Sequence, residues 1–222
     1  MRKKVIMSWS SGKDSALALY KILQHKDYQV EYLMTTVTEG YDRISMHGVR
    51  IELLELQAEK IGIPLMKVVI PQQCSNEIYQ EIMKKQLIEI QEMGINTFVF
   101  GDIYLEDVRS YREEQLKPMN FKAIFPLWGE KTSKLAKEFI DLNFKTIITC
   151  VDTLKLSGGF SGEEYTKDFI KSLPQEIDPC GENGEFHSFC FDGPIYSDSI
   201  SINIGEKTLR DDRFMYTDIL KN

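Results

Sequence analysis

The chain has 222 residues, 42 % hydrophobic and 27 % charged, with a net charge of −7. That length suffices for one large domain, or one domain and a smaller partner, burying roughly 70 % of the unfolded surface. No apolar run approaches the roughly 18 residues of a membrane span. The basic start Met1-Arg2-Lys3-Lys4 leads into too few apolar residues for a signal peptide, so a cytoplasmic location is expected. The acidic balance argues against a surface built to envelop nucleic acid. Cys74, Cys150, Cys180 and Cys190 contain no C-x-x-C pair and are expected to be reduced and mostly structural.

Strand and helix signals alternate through the first half of the chain, the pattern of parallel βαβ units. Lys4 to Trp9 reads as the first strand, and Ala16, Leu19, Tyr20 and Leu23 form one apolar helix face. Val30 to Val37 is the second strand, Ile51, Leu54, Ala58 and Ile61 mark the second helix, and Leu65 to Ile70, closed by Pro71, is the third strand. Tyr79, Met83, Leu87 and Ile90 mark a third helix, Thr97 to Phe100 a fourth strand, Glu106 to Leu116 a fourth helix, and Ala123 to Leu127 a fifth strand. The expected architecture is α/β: a five-stranded parallel doubly wound sheet binding its ligand outside the carboxyl ends of the strands. Beyond Pro126 the regularity weakens. Leu135, Phe139 and Leu142 mark a helix, Thr146 to Val151 a strand, and Tyr165, Phe169 and Leu173 another helix, followed by a Gly-, Ser- and Asp-rich tail with short β-like runs such as Ser199 to Ile204. Residues 1–125 are therefore expected to form the nucleotide-binding domain and residues 126–222 a smaller α+β domain for the substrate.

The densest chemical signal is Ser10-Ser11-Gly12-Lys13-Asp14-Ser15, between the first strand and the first helix. A strand that turns directly into a helix aims unpaired backbone N–H groups at one point, where the helix dipole favours negative charge. Lys13 adds a cation, the three serines add hydroxyls, and Gly12 permits close approach of a phosphate oxygen. The Walker pattern G-x-x-x-x-G-K-[ST] does not fit, since Met7 and Asp14 stand where its first Gly and its Ser/Thr belong. The hexapeptide resembles the Ser-Gly-Gly-x-Asp-Ser signature of the PP-loop ATP pyrophosphatases, with Ser11 in place of the first Gly. That replacement costs little if residue 11 has a negative φ. Thr35 after the second strand and Gly101-Asp102 after the fourth lie at the same end of the sheet.

A second constellation, Asp178-Pro179-Cys180-Gly181-Glu182-Asn183-Gly184-Glu185-Phe186-His187, packs glycines, carboxylates and a histidine into ten residues. Glu182, Glu185 and His187 are groups that orient an amine, move a proton or ligate a cation, although a hydrophilic surface turn would share this composition. Both constellations, with His47-Gly48-Val49, Phe100-Gly101-Asp102-Ile103, Pro126-Leu127-Trp128-Gly129 and Asp192-Gly193-Pro194, resemble the diphthine–ammonia ligase family of PP-loop ATPases in the family's order and over nearly the whole length. The chain looks like the short form, without the extra C-terminal domains of some eukaryotic members.

The resemblance implies that a carboxylate is adenylated by ATP and then attacked by ammonia, releasing AMP and pyrophosphate. The implied acceptor is diphthine on elongation factor 2, or another carboxylate in a bacterium, where diphthamide is not made. Ser10, Ser11, Gly12, Lys13, Asp14, Ser15, Thr35, Gly101, Asp102, Arg109 and Arg112 are the nucleotide-binding candidates. Asp14 is also a candidate for holding Mg²⁺ on the phosphates. Arg109 and Arg112, three apart on one helix, would clamp phosphate, or else form surface pairs with Glu106 or Glu113. Asp14, Glu182, Glu185 and His187 are the catalytic candidates, and His47 faces the same cleft or caps the second helix. A PP-loop enzyme that modifies tRNA and a non-enzymatic nucleotide-binding regulator are the alternatives, and assembly into an oligomer is left open.

Overall fold

The computed structural model describes residues 2–41, 43–44 and 48–222, so His47 lies outside the described residues. Five strands, β1 (Lys3–Ser8), β2 (Tyr28–Thr38), β3 (Leu65–Ile70), β4 (Thr97–Val99) and β5 (Lys122–Ile124), form one sheet in the order β3-β2-β1-β4-β5, with every pairing parallel. Helices α1 (Lys13–Leu23), α2 (Ile51–Ile61), α3 (Asn76–Glu92) and α4 (Glu106–Leu116) connect them. Buried residues of α1 and α2 pack with Val5, Met7 and Leu33 on one face of the sheet, while Leu87 and Ile90 of α3 and Leu116 of α4 pack with Ile6, Met34 and Phe98 on the other. This is the doubly wound α/β arrangement, and strand order reverses at β1, between β2 and β4. The crevice at such a reversal is where ligands bind in open α/β sheets, and both the turn after β1 and the loop after β4 open onto it.

The rest of the chain contributes α5 (Thr132–Asp141), β6 (Lys145–Asp152), α6 (Lys167–Ser172), β7 (Phe186–Asp192), β8 (Ile202–Arg210) and β9 (Phe214–Lys221). Its four strands form an antiparallel sheet in the order β7-β6-β9-β8. Phe139, Ile147, Ile148 and Phe189 join the same buried cluster as Val5, Met7 and Leu17, so the two sheets share one apolar core.

Several boundaries differ from the sequence expectation, each for a local reason. β5 ends at Ile124 because Phe125 starts a turn closed by the Trp128 N–H on the Phe125 carbonyl, and Pro126 has no N–H to extend the ladder. The helix expected from Tyr165 starts at Lys167, capped by Thr166, whose hydroxyl accepts the Phe169 N–H at 3.1 Å. Tyr165 instead donates its N–H to Thr146 of β6. Leu23, expected on the buried face of the first helix, is 45 % exposed at its last turn. The tail forms a long β8–β9 hairpin, whose turn places Asp211 and Asp212 at φ of 51° and 50°.

Candidate active site

The backbone of β1 ends at Ser8, and α1 begins one residue after Gly12, which stands at the N-cap in extended conformation. The α1 N–H groups of the first turn have no acceptor within the helix, and the residues that carry them, Lys13, Asp14 and Ser15, line the crevice. Ser10 Oγ lies 3.0 Å from Ser15 Oγ, and Ser15 donates to the Gly12 carbonyl at 2.9 Å, which ties the turn to the first helical turn. Ser188 of β7 closes in behind. Its Oγ accepts the Lys13 N–H at 3.2 Å, and a Cβ on Gly12 would stand 3.1 Å from its carbonyl oxygen. A Cβ on Gly101 would meet the Asp14–Ser15 backbone at 3.0 Å, so the loop after β4 and the start of α1 touch because residue 101 has no side chain.

Ser11 departs from the sequence expectation, because its φ is +71° rather than negative. A non-glycine residue there carries left-handed strain, and the Ser11 hydroxyl is buried without a hydrogen-bond partner. Ser11 lines neither cavity at this end of the sheet; its carbonyl is held by the Gln57 amide and the Cys190 N–H.

The Lys13 side chain is buried and ends among the 178–187 segment. Its ammonium donates to both Asp14 carboxylate oxygens, at 3.0 and 2.7 Å, and to the Cys180 carbonyl. It also lies 6.0 and 5.4 Å from the ring centres of Tyr165 and Phe186. Burial pulls the Lys13 pKa down, but the Asp14 carboxylate, with Cys180 and Glu182 behind it, outweighs burial and raises the ammonium above the ordinary lysine value. Burial pushes the Asp14 carboxyl up, partly offset by Lys13.

Glu182 reaches from the same segment to the loop after β4, where Oε1 accepts the N–H groups of Ile103 at 2.8 Å and Tyr104 at 3.4 Å. Burial, opposed by these N–H groups and reinforced by Asp14, pushes its carboxyl up to about 7. His187 is pushed down to about 4 by burial and by the nearby Lys13 cation, and is neutral at pH 7.

A cleft of about 220 Å³ brings together Ser10, Gly12, Lys13, Asp14 and Ser15 of the turn, Gly101 and Asp102 after β4, Arg112 of α4, and Glu182 and His187. Thr35 lies instead in an adjoining, mostly apolar cavity of about 640 Å³ between α3 and α4, which shares Ser8, Ser10, Phe100 and Arg112 with the cleft. Arg112 grips Asp102 through Nε and Nη2 at 2.6 and 3.1 Å, with its guanidinium over the Phe100 ring. Arg109 lines neither cavity. It pairs with Glu113 at 2.9 Å and stacks on Trp128 and Phe125, the geometry of the surface-pair alternative. Glu185 also stands back from the cleft. Its Oε1 accepts from the Asp178 N–H and the Asn183 amide, folding the segment on itself, and its buried Oε2 has no partner.

Among the described residues no cluster of three or more His, Cys, Asp or Glu side chains is arranged to hold a metal. A Mg²⁺ at Asp14 would therefore take most of its oxygen ligands from phosphates and water, which is the usual habit of that ion.

Sequence reasoning missed Gln57, Ser188 and the Cys180 carbonyl. Gln57 left a readable trace, as a polar side chain among the buried Leu53, Leu54 and Ala58 of α2. A backbone carbonyl leaves none.

Comparison with known families matches residues 3–122 to the diphthamide synthase N-terminal domain and residues 131–221 to the diphthamide synthase C-terminal domain. A Mus musculus protein named diphthine–ammonia ligase is 23 % identical over 224 residues, covering 90 % of this chain and 83 % of its own length. The Rattus norvegicus protein of the same name is 22 % identical with the same coverage. A Schizosaccharomyces pombe diphthine–ammonia ligase is 23 % identical over 89 % of this chain but only 36 % of its own length.

Proposed function

The chain belongs to the diphthamide synthase family, and from that premise we propose that it is an ATP-dependent ligase forming a carbon–nitrogen bond. A carboxylate attacks the α-phosphorus of ATP, pyrophosphate leaves, and ammonia displaces AMP from the acyl-adenylate to give an amide. The mouse and rat relatives are named for diphthine as the acceptor. Diphthine on elongation factor 2 is accordingly the first acceptor to test, and another carboxylate the second. The observation that carries the reading is the juxtaposition, in one cleft, of the turn at the α1 N-terminus with the Glu182 carboxylate.

Most of the charged residues of the cleft have a task in this chemistry. The first-turn N–H groups of α1, the Ser10 and Ser15 hydroxyls and Lys13 hold the leaving pyrophosphate, where negative charge grows as the P–O bond breaks. Arg112, already fixed by Asp102, faces the phosphates from α4. Asp14, whose carboxylate meets Lys13, would hold Mg²⁺ on the phosphates. The nucleoside occupies the adjoining cavity past Thr35. Glu182, with its carboxyl near 7, binds the incoming ammonium and takes its proton, leaving the nitrogen lone pair free to attack. Glu185 holds the 178–187 segment in shape from behind. The division of labour follows the chain, residues 1–125 serving the nucleotide and residues 126–222 the acyl acceptor, with Glu182 reaching across.

Thiolation of tRNA finds less support. Cys150, Cys180 and Cys190 are buried and burial pushes all three thiols up, the reverse of what a sulfur nucleophile needs. The deciding experiment incubates the protein with ATP, ammonia and a panel of carboxylates that includes diphthine-bearing elongation factor 2. Acceptor-dependent AMP and pyrophosphate are expected. ADP and phosphate would overturn the adenylation chemistry, and no turnover with any acceptor would favour a regulatory nucleotide-binding role.

A further inference from the structure

Behind the phosphate-binding turn, on the side away from the cleft, lies a buried polar network centred on Gln57 of α2. The Gln57 side chain is fully buried. Its Oε1 accepts the Trp9 indole N–H at 2.8 Å, and its Nε2 donates to the Ser11 carbonyl at 3.0 Å and the Cys190 carbonyl at 2.6 Å. Tyr196 completes the set, its hydroxyl 3.3 Å from Nε2 and donating to the Cys190 carbonyl at 3.0 Å. The Ser11 carbonyl receives a second N–H, from Cys190 at 2.9 Å. One amide side chain thus ties together the residue before the turn, the turn itself and β7.

We propose that Gln57 is a positioning residue for phosphate binding: by holding the Ser11 carbonyl on the far side of the turn, it aims the Gly12 N–H into the cleft. The argument rests on peptide geometry. In a trans peptide the carbonyl oxygen of one residue and the N–H of the next point in opposite directions. Fixing the Ser11 oxygen in the Gln57–Cys190 network therefore fixes the direction of the Gly12 N–H. That N–H points to the cleft side, where its nearest partner is the Ser10 hydroxyl at a long 3.4 Å, and both Ser10 and Gly12 line the cleft. The same restraint accounts for the backbone at Ser11. A serine at φ +71° relaxes unless its neighbours over-determine it, and two donors on its carbonyl do so. The inference deepens the reading of this cleft as an ATP site and depends on it.

Two substitutions and one measurement on the unaltered chain test it. Gln57→Glu keeps the shape and the acceptor for Trp9 but leaves at most one donor, the carboxyl proton, for two carbonyl oxygens. Gln57→Met keeps the volume and removes every polar contact. Isothermal calorimetry should show ATP binding about tenfold weaker in either folded variant, the equivalent of about one hydrogen-bond contribution. In the unaltered chain, pyrophosphate, which has no nucleoside to fill the cavity that Trp9 lines, should shift the Trp9 indole N–H resonance, assigned with Trp128→Phe, because the phosphate-binding turn and Trp9 share the network through Ser11. Unchanged ATP affinity in a folded Gln57 variant overturns the proposal while leaving the ATP site standing, as does pyrophosphate binding that leaves the Trp9 resonance unmoved. Failure of the unaltered chain to bind ATP overturns the site and the proposal together.

Discussion

The Glu182 carboxylate accepts the backbone N–H of Ile103 at 2.8 Å across 79 positions of sequence. This bond joins the glycine-flanked glutamate block to the loop after β4 and holds a charged group beside Lys13 and Asp14 that would otherwise swing into solvent. The same N–H groups lower its pKa, yet burial beside Asp14 wins, and the carboxyl ends near 7. A group poised there is ionised often enough to accept a proton from ammonium and is only weakly solvated.

Glu182→Gln preserves the shape and removes the base. Acceptor-dependent amide formation should fall by about 10²-fold or more, with ATP affinity nearly unchanged, measured by product formation and calorimetry. In the unaltered chain the rate should drop as pH falls below about 7. Stability moves the other way. The folded chain retains a proton on Glu182 between the ordinary carboxyl value of 4.5 and about 7, so the stability tied to this group is lost as pH rises through that window. The variant should therefore melt higher than the unaltered chain at pH 8 while turning over more slowly, and a lower Tm there would contradict this account.

Lys13→Ala removes the one lysine of the turn, which is buried against Cys180 and Asp14. ATP affinity should weaken by about 1.5–3 kcal/mol, the usual contribution of a hydrogen bond to a charged group. Calorimetry on a variant shown to be folded by circular dichroism checks this. The loss should exceed that of Ser10→Ala, which removes a neutral hydroxyl.

Ser11→Gly removes left-handed strain at φ +71° and a buried hydroxyl with no partner. The left-handed conformation costs a non-glycine residue about 1–2 kcal/mol, and the extra freedom of glycine in the unfolded chain offsets about 0.5–1 kcal/mol of that gain. A net stabilisation of about 1 kcal/mol in urea unfolding is expected, with ATP affinity unchanged because Ser11 does not line the cleft. Weaker ATP binding would return the Ser11 hydroxyl to the site.

The parallel sheet was legible because its buried strands are short continuous apolar runs while its helices carry an apolar face at spacings of three and four, and the hexapeptide after β1 could be placed at a strand–helix junction from that contrast. The β8–β9 hairpin was not. Its first strand is largely exposed and carries Lys, Glu, Asn and Arg, so beyond the β-like run ending at Ile204 no apolar alternation marks it, its half-buried second strand mixes Phe, Met and Tyr with Thr and Asp, and its turn uses Asp211 and Asp212 at positive φ rather than an Asn-Gly or Asp-Gly pair. Within the site, Lys13, Glu182 and Arg112 could be picked out by residue type. Arg109 and Glu185 have the same types as true cleft residues, and only the fold shows that one lies on Trp128 and the other behind the loop.

Arg109 and Arg112 make a matched pair for a control. Arg112→Ala should weaken ATP binding by about tenfold or more, since it removes a charge-assisted donor and leaves Asp102 unpaired facing the phosphates. Arg109→Ala should leave ATP affinity unchanged and cost less than about 1 kcal/mol of stability, as expected for an exposed i,i+4 pair and its aromatic stacking. Comparable losses in the two variants would show that the helix face, rather than Arg112 itself, meets the nucleotide.

A pH limb near 7 is ordinarily assigned to histidine, and His187 lines the same cleft, so the assignment to Glu182 needs its own test. Burial and Lys13 hold His187 down at about 4, against an ordinary value of 6.5, so its imidazole is neutral throughout the range in which the enzyme would lose its base. His187→Gln should therefore leave the limb near 7 in place, whereas Glu182→Gln should abolish it. Stability separates the two groups again. Because the folded pKa of His187 is depressed, the unfolded chain binds the extra proton between 6.5 and about 4, and stability is lost as pH falls through that window. His187→Gln should flatten the acid side of the Tm profile and Glu182→Gln the side between 4.5 and 7 where stability declines with rising pH. A kinetic limb that vanishes with His187→Gln would move the proton-accepting role from the glutamate block to β7.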